Sequence, residues 1–125
     1  MPSALNWFHI PASDITRAKA FYETICGFSL EKMEGPPNTE LWAFPADWRN
    51  GEIGGAVVGG EGAVPSATGT MVFLNANPDL QAVLDRVEGA GGKILMPKTP
   101  IGMDAGFSAM ISDTEGNTVG LHSQG

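Results

Sequence analysis

His9-Ile10-Pro11-Ala12-Ser13-Asp14-Ile15-Thr16-Arg17-Ala18-Lys19-Ala20-Phe21-Tyr22-Glu23-Thr24-Ile25-Cys26-Gly27-Phe28 is the stretch whose reading decides the fold. The apolar and aromatic run from Leu5 predicts a short strand that Pro11 ends. Asp14 stands where a helix N-cap belongs. Ile15, Ala18, Phe21, Tyr22 and Ile25 recur at the spacing of one helical face, and Thr16, Arg17, Lys19 and Glu23 lie off it. Gly27 closes the helix. A strand leading directly into an amphipathic helix is the opening of a mixed α and β unit.

Working outward, three strands are expected next, at Phe28–Met33, Glu40–Phe44 and Glu52–Val58. Pro36-Pro37-Asn38 and Asp47–Gly51 supply the turns between them. Residues 59–69 have the composition of a linker. The order then repeats. Thr70–Ala76 reads as a strand, Asn77 as a cap, Pro78 as the first helical position, and Leu80, Val83, Leu84 and Val87 as a buried stripe ended by Gly89, Gly91 and Gly92. Strands follow at Lys93–Met96, Gly106–Ile111 and Thr118–His122, with a tight turn over Asp113–Asn117. Asp14 precedes Gly27 by 13 positions, and Asp79 precedes Gly92 by the same 13.

The implied fold class is α+β: two βαβββ modules, about 4–59 and 70–123 with a linker at 60–69, forming one domain over 1–125. One helix per module covers one face of its sheet and leaves the other bare, so the joined modules are expected to make a curled mixed sheet with a concave pocket.

The chain has 125 residues, a size typical of one domain. Its 17 glycines and 9 prolines argue against a helical bundle, and 42% hydrophobic residues suffice for an ordinary core. Seven basic against fourteen acidic residues leave a net charge of −7, which disfavours nucleic acid and anionic membranes as partners. The single cysteine, Cys26, excludes an intrachain disulfide and reads as an inert thiol at a helix end. The apolar runs are too short to span a membrane and the N-terminus lacks a signal core, so a cytoplasmic protein is expected.

The stretch His9–Phe28, the matching run Asp79–Gly92 and the turn Asp113–Asn117 together resemble the vicinal oxygen chelate superfamily. That group includes glyoxalase I, bleomycin-resistance proteins and extradiol dioxygenases, and the nearest likeness is to its glyoxalase-like bacterial members. The resemblance implies a divalent metal held by His, Gln or Glu on the first and last strands of each module. Seven residues before Asp14 stands Trp7, and seven before Asp79 stands Val72. The last-strand carboxylate maps onto Gly120, and Ile53–Val58 offers no ligand. No metal or other cofactor is therefore expected. The two histidines, His9 and His122, sit two residues beyond Trp7 and Gly120 and are the weak metal candidates; Glu40 and Glu52 are the carboxylates within reach of such a site.

Without a metal, the expected activity is binding of a small organic molecule in an aromatic-lined cup by Trp7, His9, Trp42, Phe44, Phe107, Gly120 and His122. Core packing is the competing reading for Phe44 and Phe107, and alternation does not say which face of Trp42 and Phe44's strand looks into the cup. The alternative activity is that of a metal-dependent lyase, isomerase or dioxygenase with shifted ligands. Residues 97–106 read as a loop, which the resemblance places over the pocket mouth with Gly102 and Gly106 as hinges; an ordinary connection stiffened by two prolines is the alternative. The resemblance also implies a homodimer, and linker 59–69 would allow modules to be exchanged between chains.

Overall fold

The computed structural model describes residues 3–125. It contains β1 (Trp7–Pro11), α1 (Ile15–Cys26), β2 (Glu31–Met33), β3 (Thr39–Ala43), β4 (Gly54–Gly60), β5 (Phe73–Asn75), α2 (Leu80–Val87), β6 (Lys93–Pro100), β7 (Phe107–Ser112) and β8 (Thr118–Ser123). The repeated strand–helix–three-strand order is thus observed. The strands form two four-stranded sheets, ordered β1-β4-β3-β2 and β5-β8-β7-β6, and among the described residues no strand of one pairs with a strand of the other. In each sheet the first strand runs parallel to the last strand of its module, and the remaining pairs are antiparallel.

The helices arise as the sequence requires. Asp14 accepts the Arg17 N–H at 3.1 Å, and Gly27 closes α1. Ala18, Phe21, Tyr22 and Ile25 are the buried face of α1. The cap of α2 differs from the expectation. Asp79, not Asn77, accepts the Gln81 N–H at 2.9 Å, and Pro78 lies before the cap rather than inside the helix. Helix α2 also stops at Val87, so its glycines belong to the following turn. There Gly92 sits under Phe21, where a Cβ would lie 2.7 Å from the ring's Cε1.

Both helices pack on one side of the sheets and share one core, in which Ile10, Phe21, Tyr22, Ile25 and Val57 of the first module meet Leu80, Leu84, Ile111 and Leu121 of the second. The opposite, helix-free side is the open face of each sheet. The Asp113–Asn117 turn forms as expected, closed by Asp113 N–H to Asn117 O at 3.0 Å. The buried Asp113 carboxylate accepts from Tyr22 Oη (2.7 Å), the Glu115 and Asn117 amides (2.9 Å each) and Asn117 Nδ2 (2.9 Å). Asn117 Nδ2 also donates to Pro11 O, and Asn117 Oδ1 accepts from Ser66 N–H. The expected linker is therefore tied to the second module at Ser66. Burial first, then the adjacent Asp113 carboxylate, push the Tyr22 phenol well above its usual range.

Two further corrections concern the edges. Residues 97–100 do not form a loop: β6 continues through both prolines to Pro100, and Ile101 N–H to Gly106 O at 2.9 Å closes a hairpin turn. An edge strand tolerates proline because one side of it needs no donors. The strand expected at Glu52–Val58 likewise starts and ends two residues later, as β4 over Gly54–Gly60. Among the described residues no helix is long and apolar enough to cross a membrane.

Asp113→Ala is expected to lower the unfolding free energy by about 3–5 kcal/mol, since it strands several buried donors. Tyr22→Phe should cost about 1–2 kcal/mol, and urea melts measure both. At the same turn, burial opposes ionisation of Glu115, but Arg17 (2.7 Å), the Asp14 N–H (2.8 Å) and Thr114 (2.9 Å) outweigh it and hold the carboxyl below its ordinary range. A depressed folded value stabilises above the unfolded value of about 4.3 and is lost as pH falls through the folded one. The stability gap between wild type and Glu115→Gln should therefore be widest near neutrality and close as pH falls toward 3.

Candidate functional site

Alternation along each strand fixes which side chains reach the open face. In β1, Phe8 and Ile10 pack into the core while Trp7, His9 and Pro11 point the other way. In β4, Gly55, Val57 and Gly59 lie toward the helices, and Gly54, Ala56 and Val58 toward the open face. A small second cluster of Leu41, Ala56 and Val58, flanked by Trp7 and Met33, covers part of this face. Trp7 lies against Gly54, where a Cβ would be 2.6 Å from its Cζ3. His9 is exposed, meets the Trp7 ring edge-on at 6.4 Å, and its imidazole makes no hydrogen bond among the described residues.

Three of the expected cup aromatics face the helices instead. Phe44 is buried between Phe8, Tyr22 and Phe28, with ring centroids 5.6, 5.7 and 6.1 Å away. Trp42 packs on the same core beneath Lys19, whose Nζ is 4.7 Å from its ring, and donates Nε1–H to Glu40 at 2.8 Å. Phe107 packs under Lys98, which also pairs with Asp79 at 2.8 Å. The cause is common to all three: the helical side needs large apolar bodies to fill its core, and these strands supply them. Glu40 is thereby on the helical side, and Glu52 is bound to the Asp47 N–H.

In the second sheet, Gly120 and His122 do reach the open face. Phe73, which the sequence reading missed, lies over Gly120, where a Cβ would be 2.3 Å from its Cδ2. His122 Nε2–H donates to Ala105 O at 2.7 Å. His9 and His122 are thus on open faces of different sheets. Among the described residues no group of three or more His, Cys, Asp or Glu side chains converges. The register also refines the internal equivalence. Ala12 N–H bonds Val58 O and Ala76 N–H bonds His122 O, both at 2.8 Å. One residue separates Ala12 from Asp14, but two separate Ala76 from Asp79. The counterpart of Trp7 is therefore Met71 rather than Val72, and that of Gly120 is Ala56.

A cavity of about 330 Å³ opens on the first sheet, walled by His9, Pro11, Leu41, Val58, Ala63 and Val64. Thr39 and Glu61 stand at its rim, the latter held by Asn38 Nδ2 at 3.2 Å. Cys26 is not among its lining residues and lies at the end of α1, where burial pushes its thiol up to about 11 and disfavours the thiolate at neutral pH.

Residues 4–121 match the family model of the Glyoxalase/Bleomycin resistance protein/Dioxygenase superfamily, and the chain belongs to that family. It is 30% identical over 120 residues to CFP32 of Mycobacterium bovis, provisionally named a glyoxylase, covering 93% of this chain but 44% of that protein. The chain therefore spans less than half the length of this curated relative. A glyoxalase/bleomycin resistance protein from Streptomyces sp. CB03234 shares the fold with TM-score 0.67 at 23% identity, over 96% of this chain and 100% of that one. The fosfomycin resistance protein FosX from Listeria monocytogenes does so with TM-score 0.64 at 16% identity, over 98% and 92%.

Phe44→Ala should destabilise by about 3–5 kcal/mol, the range for emptying a buried aromatic site. Phe73→Ala, at a ring 54% exposed, should cost under about 1 kcal/mol. Equal losses in thermal melts would contradict this assignment of faces.

Proposed function

We propose that the chain binds a small, largely apolar organic molecule in the cavity on the first sheet, and that it does so without a divalent metal. The cavity itself carries the reading. Its volume is in the range of small-molecule sites, its walls are proline and aliphatic side chains, and one unpartnered imidazole, His9, stands at its edge. The donor chemistry supports the second part. The positions where the resemblance puts metal ligands hold Trp7, Met71 or Val72, and Gly120, and Gly120 lies beneath the Phe73 ring. The ligand's apolar body would rest on Pro11, Leu41, Val58 and Val64, with a polar group toward His9. Trp7, against the His9 ring, is placed to report occupancy through its fluorescence. The reading includes a homodimer, since Leu95 and Met103 are exposed apolar surface that a second copy would cover.

The test is metal analysis of untagged protein followed by thermal-shift and tryptophan-fluorescence titration with small aromatic, thiol-adduct and antibiotic compounds. The expected result is no stoichiometric divalent ion, melting unchanged by chelator or by added Ni²⁺, Zn²⁺, Mn²⁺ or Fe²⁺, and a saturable rise in Tm with at least one compound. Val64→Asp should abolish that rise. A stoichiometric divalent ion lost with His9→Ala or His122→Ala would instead favour a metal-dependent enzyme of this superfamily.

A further inference from the structure

The link from β3 to β4 holds the one Asn-Gly pair in the sequence, Asn50-Gly51. The pair ends a single turn of 3₁₀ helix, Trp48–Asn50, and every residue from 47 to 53 is exposed. Gly51 has φ +92°, which side chains rarely adopt, so the turn itself demands glycine there. A Cβ at Gly51 would meet nothing within 4 Å, so the residue faces open space. Asn50 is held by Asp47: its Nδ2 donates to Asp47 Oδ2 at 2.7 Å, and its N–H to Asp47 O at 3.0 Å.

An asparagine side-chain amide is an electrophile, and the backbone nitrogen of the next residue is the nucleophile within reach. With glycine next, no side chain crowds the approach. The other asparagines lack this. Asn6, Asn38, Asn75 and Asn117 are followed by Trp7, Thr39, Ala76 and Thr118, and Asn77 by Pro78, which has no N–H. Attack at Asn50 requires the peptide between 50 and 51 to rotate, and little opposes that. Gly51 N–H to Trp48 O spans 3.3 Å and Glu52 N–H to Asp47 O spans 3.2 Å, both longer than the usual amide bond. The firmest tie across the turn, Asp47 N–H to Glu52 Oε1 at 2.6 Å, joins its ends and leaves the reacting pair outside.

We infer that Asn50 is a site of spontaneous deamidation in the folded protein, and that its product opens this turn. Gly51 N attacks Asn50 Cγ, its proton passing through water to the leaving nitrogen. The N–Cγ bond forms, the Cγ–Nδ2 bond breaks, and ammonia departs. Water then opens the five-membered imide at either carbonyl, giving aspartate or the isoaspartate linked through Cγ. No electron is transferred, and water is the only co-reactant. In both products a carboxylate replaces the amide that donated to Asp47. Two anions then face each other where a hydrogen bond stood, and they repel. The isomer also adds a methylene to the backbone just before β4. Trp48 is placed to feel both changes: its Cβ is 3.6 Å from where a Cβ at Gly54 would stand, and Trp7 lies against the same glycine.

The test holds the whole chain in mildly alkaline buffer at body temperature, beside a synthetic peptide of residues 47–53. Both are followed by peptide mass and by enzymatic methylation of isoaspartate. The folded chain is expected to gain the mass of one amide-to-acid exchange, confined to the fragment holding Asn50, and to become a methyl acceptor. Asn50→Gln, which would have to close a six-membered ring, is expected to do neither. An Asn50 that persists in the folded chain while the peptide converts overturns the inference, because the turn then protects it. Conversion spread evenly over the other asparagines overturns it too. For the opening of the turn, Asn50→Asp and Asn50→Ser both remove the amide, but only the first adds a charge. Hydrogen exchange at the Glu52 amide, which bonds Asp47 O, is expected to be faster in Asn50→Asp, with a gap that shrinks as salt is added. Equal exchange in the two variants overturns the opening.

Discussion

The Asp113 carboxylate, buried at the β7–β8 turn and met by Tyr22 from α1, joins the two modules through side chains rather than strands. The sheets share no ladder, so their relative position depends on the common apolar core, on this carboxylate, on the Arg17–Glu115 pair beside it, and on Arg86 reaching Ile25 O at 3.1 Å. A charge in an apolar core is tolerable only when its lone pairs are filled, and here they are. The helices are thereby held together on one side, and both open faces remain clear of them.

The modules and their order were legible because the signals are local. Periodic apolar residues, an Asp cap and a closing glycine predict α1 almost to the residue, and the Asp113–Asn117 turn is equally self-contained. The facing of strands was not legible. Alternation in β3 separates Trp42 and Glu40 from Leu41, but which set meets the helices depends on how β3 pairs with β4. That pairing puts Trp42 opposite Val57, a core residue. Of the seven expected pocket residues, Trp7, His9, Gly120 and His122 reach an open face, while Trp42, Phe44 and Phe107 do not. Phe73 escaped notice because Asn77-Pro78 lengthens the approach to α2 by one residue and shifts the count back from Asp79.

The same extra residue shows how far the halves have diverged beneath a shared topology. Hydrogen-bond parity is preserved, from Ala12 to Val58 and from Ala76 to His122, while the side chains projecting from equivalent positions have exchanged polarity. A backbone ladder is indifferent to what its open side carries, because the core needs only the alternate residues. The chemistry of the open face is thus free to change without disturbing packing on the other.

The placement of Phe73 on Gly120 has an evolutionary corollary. Any side chain larger than hydrogen at 120 must first displace the ring, so a carboxylate cannot arise there by one substitution without collision. The ring, 54% exposed, would have to swing off the sheet or be replaced by a smaller side chain. Positions 73 and 120 are thereby coupled under selection: a larger residue at one is tolerated most readily after a change at the other.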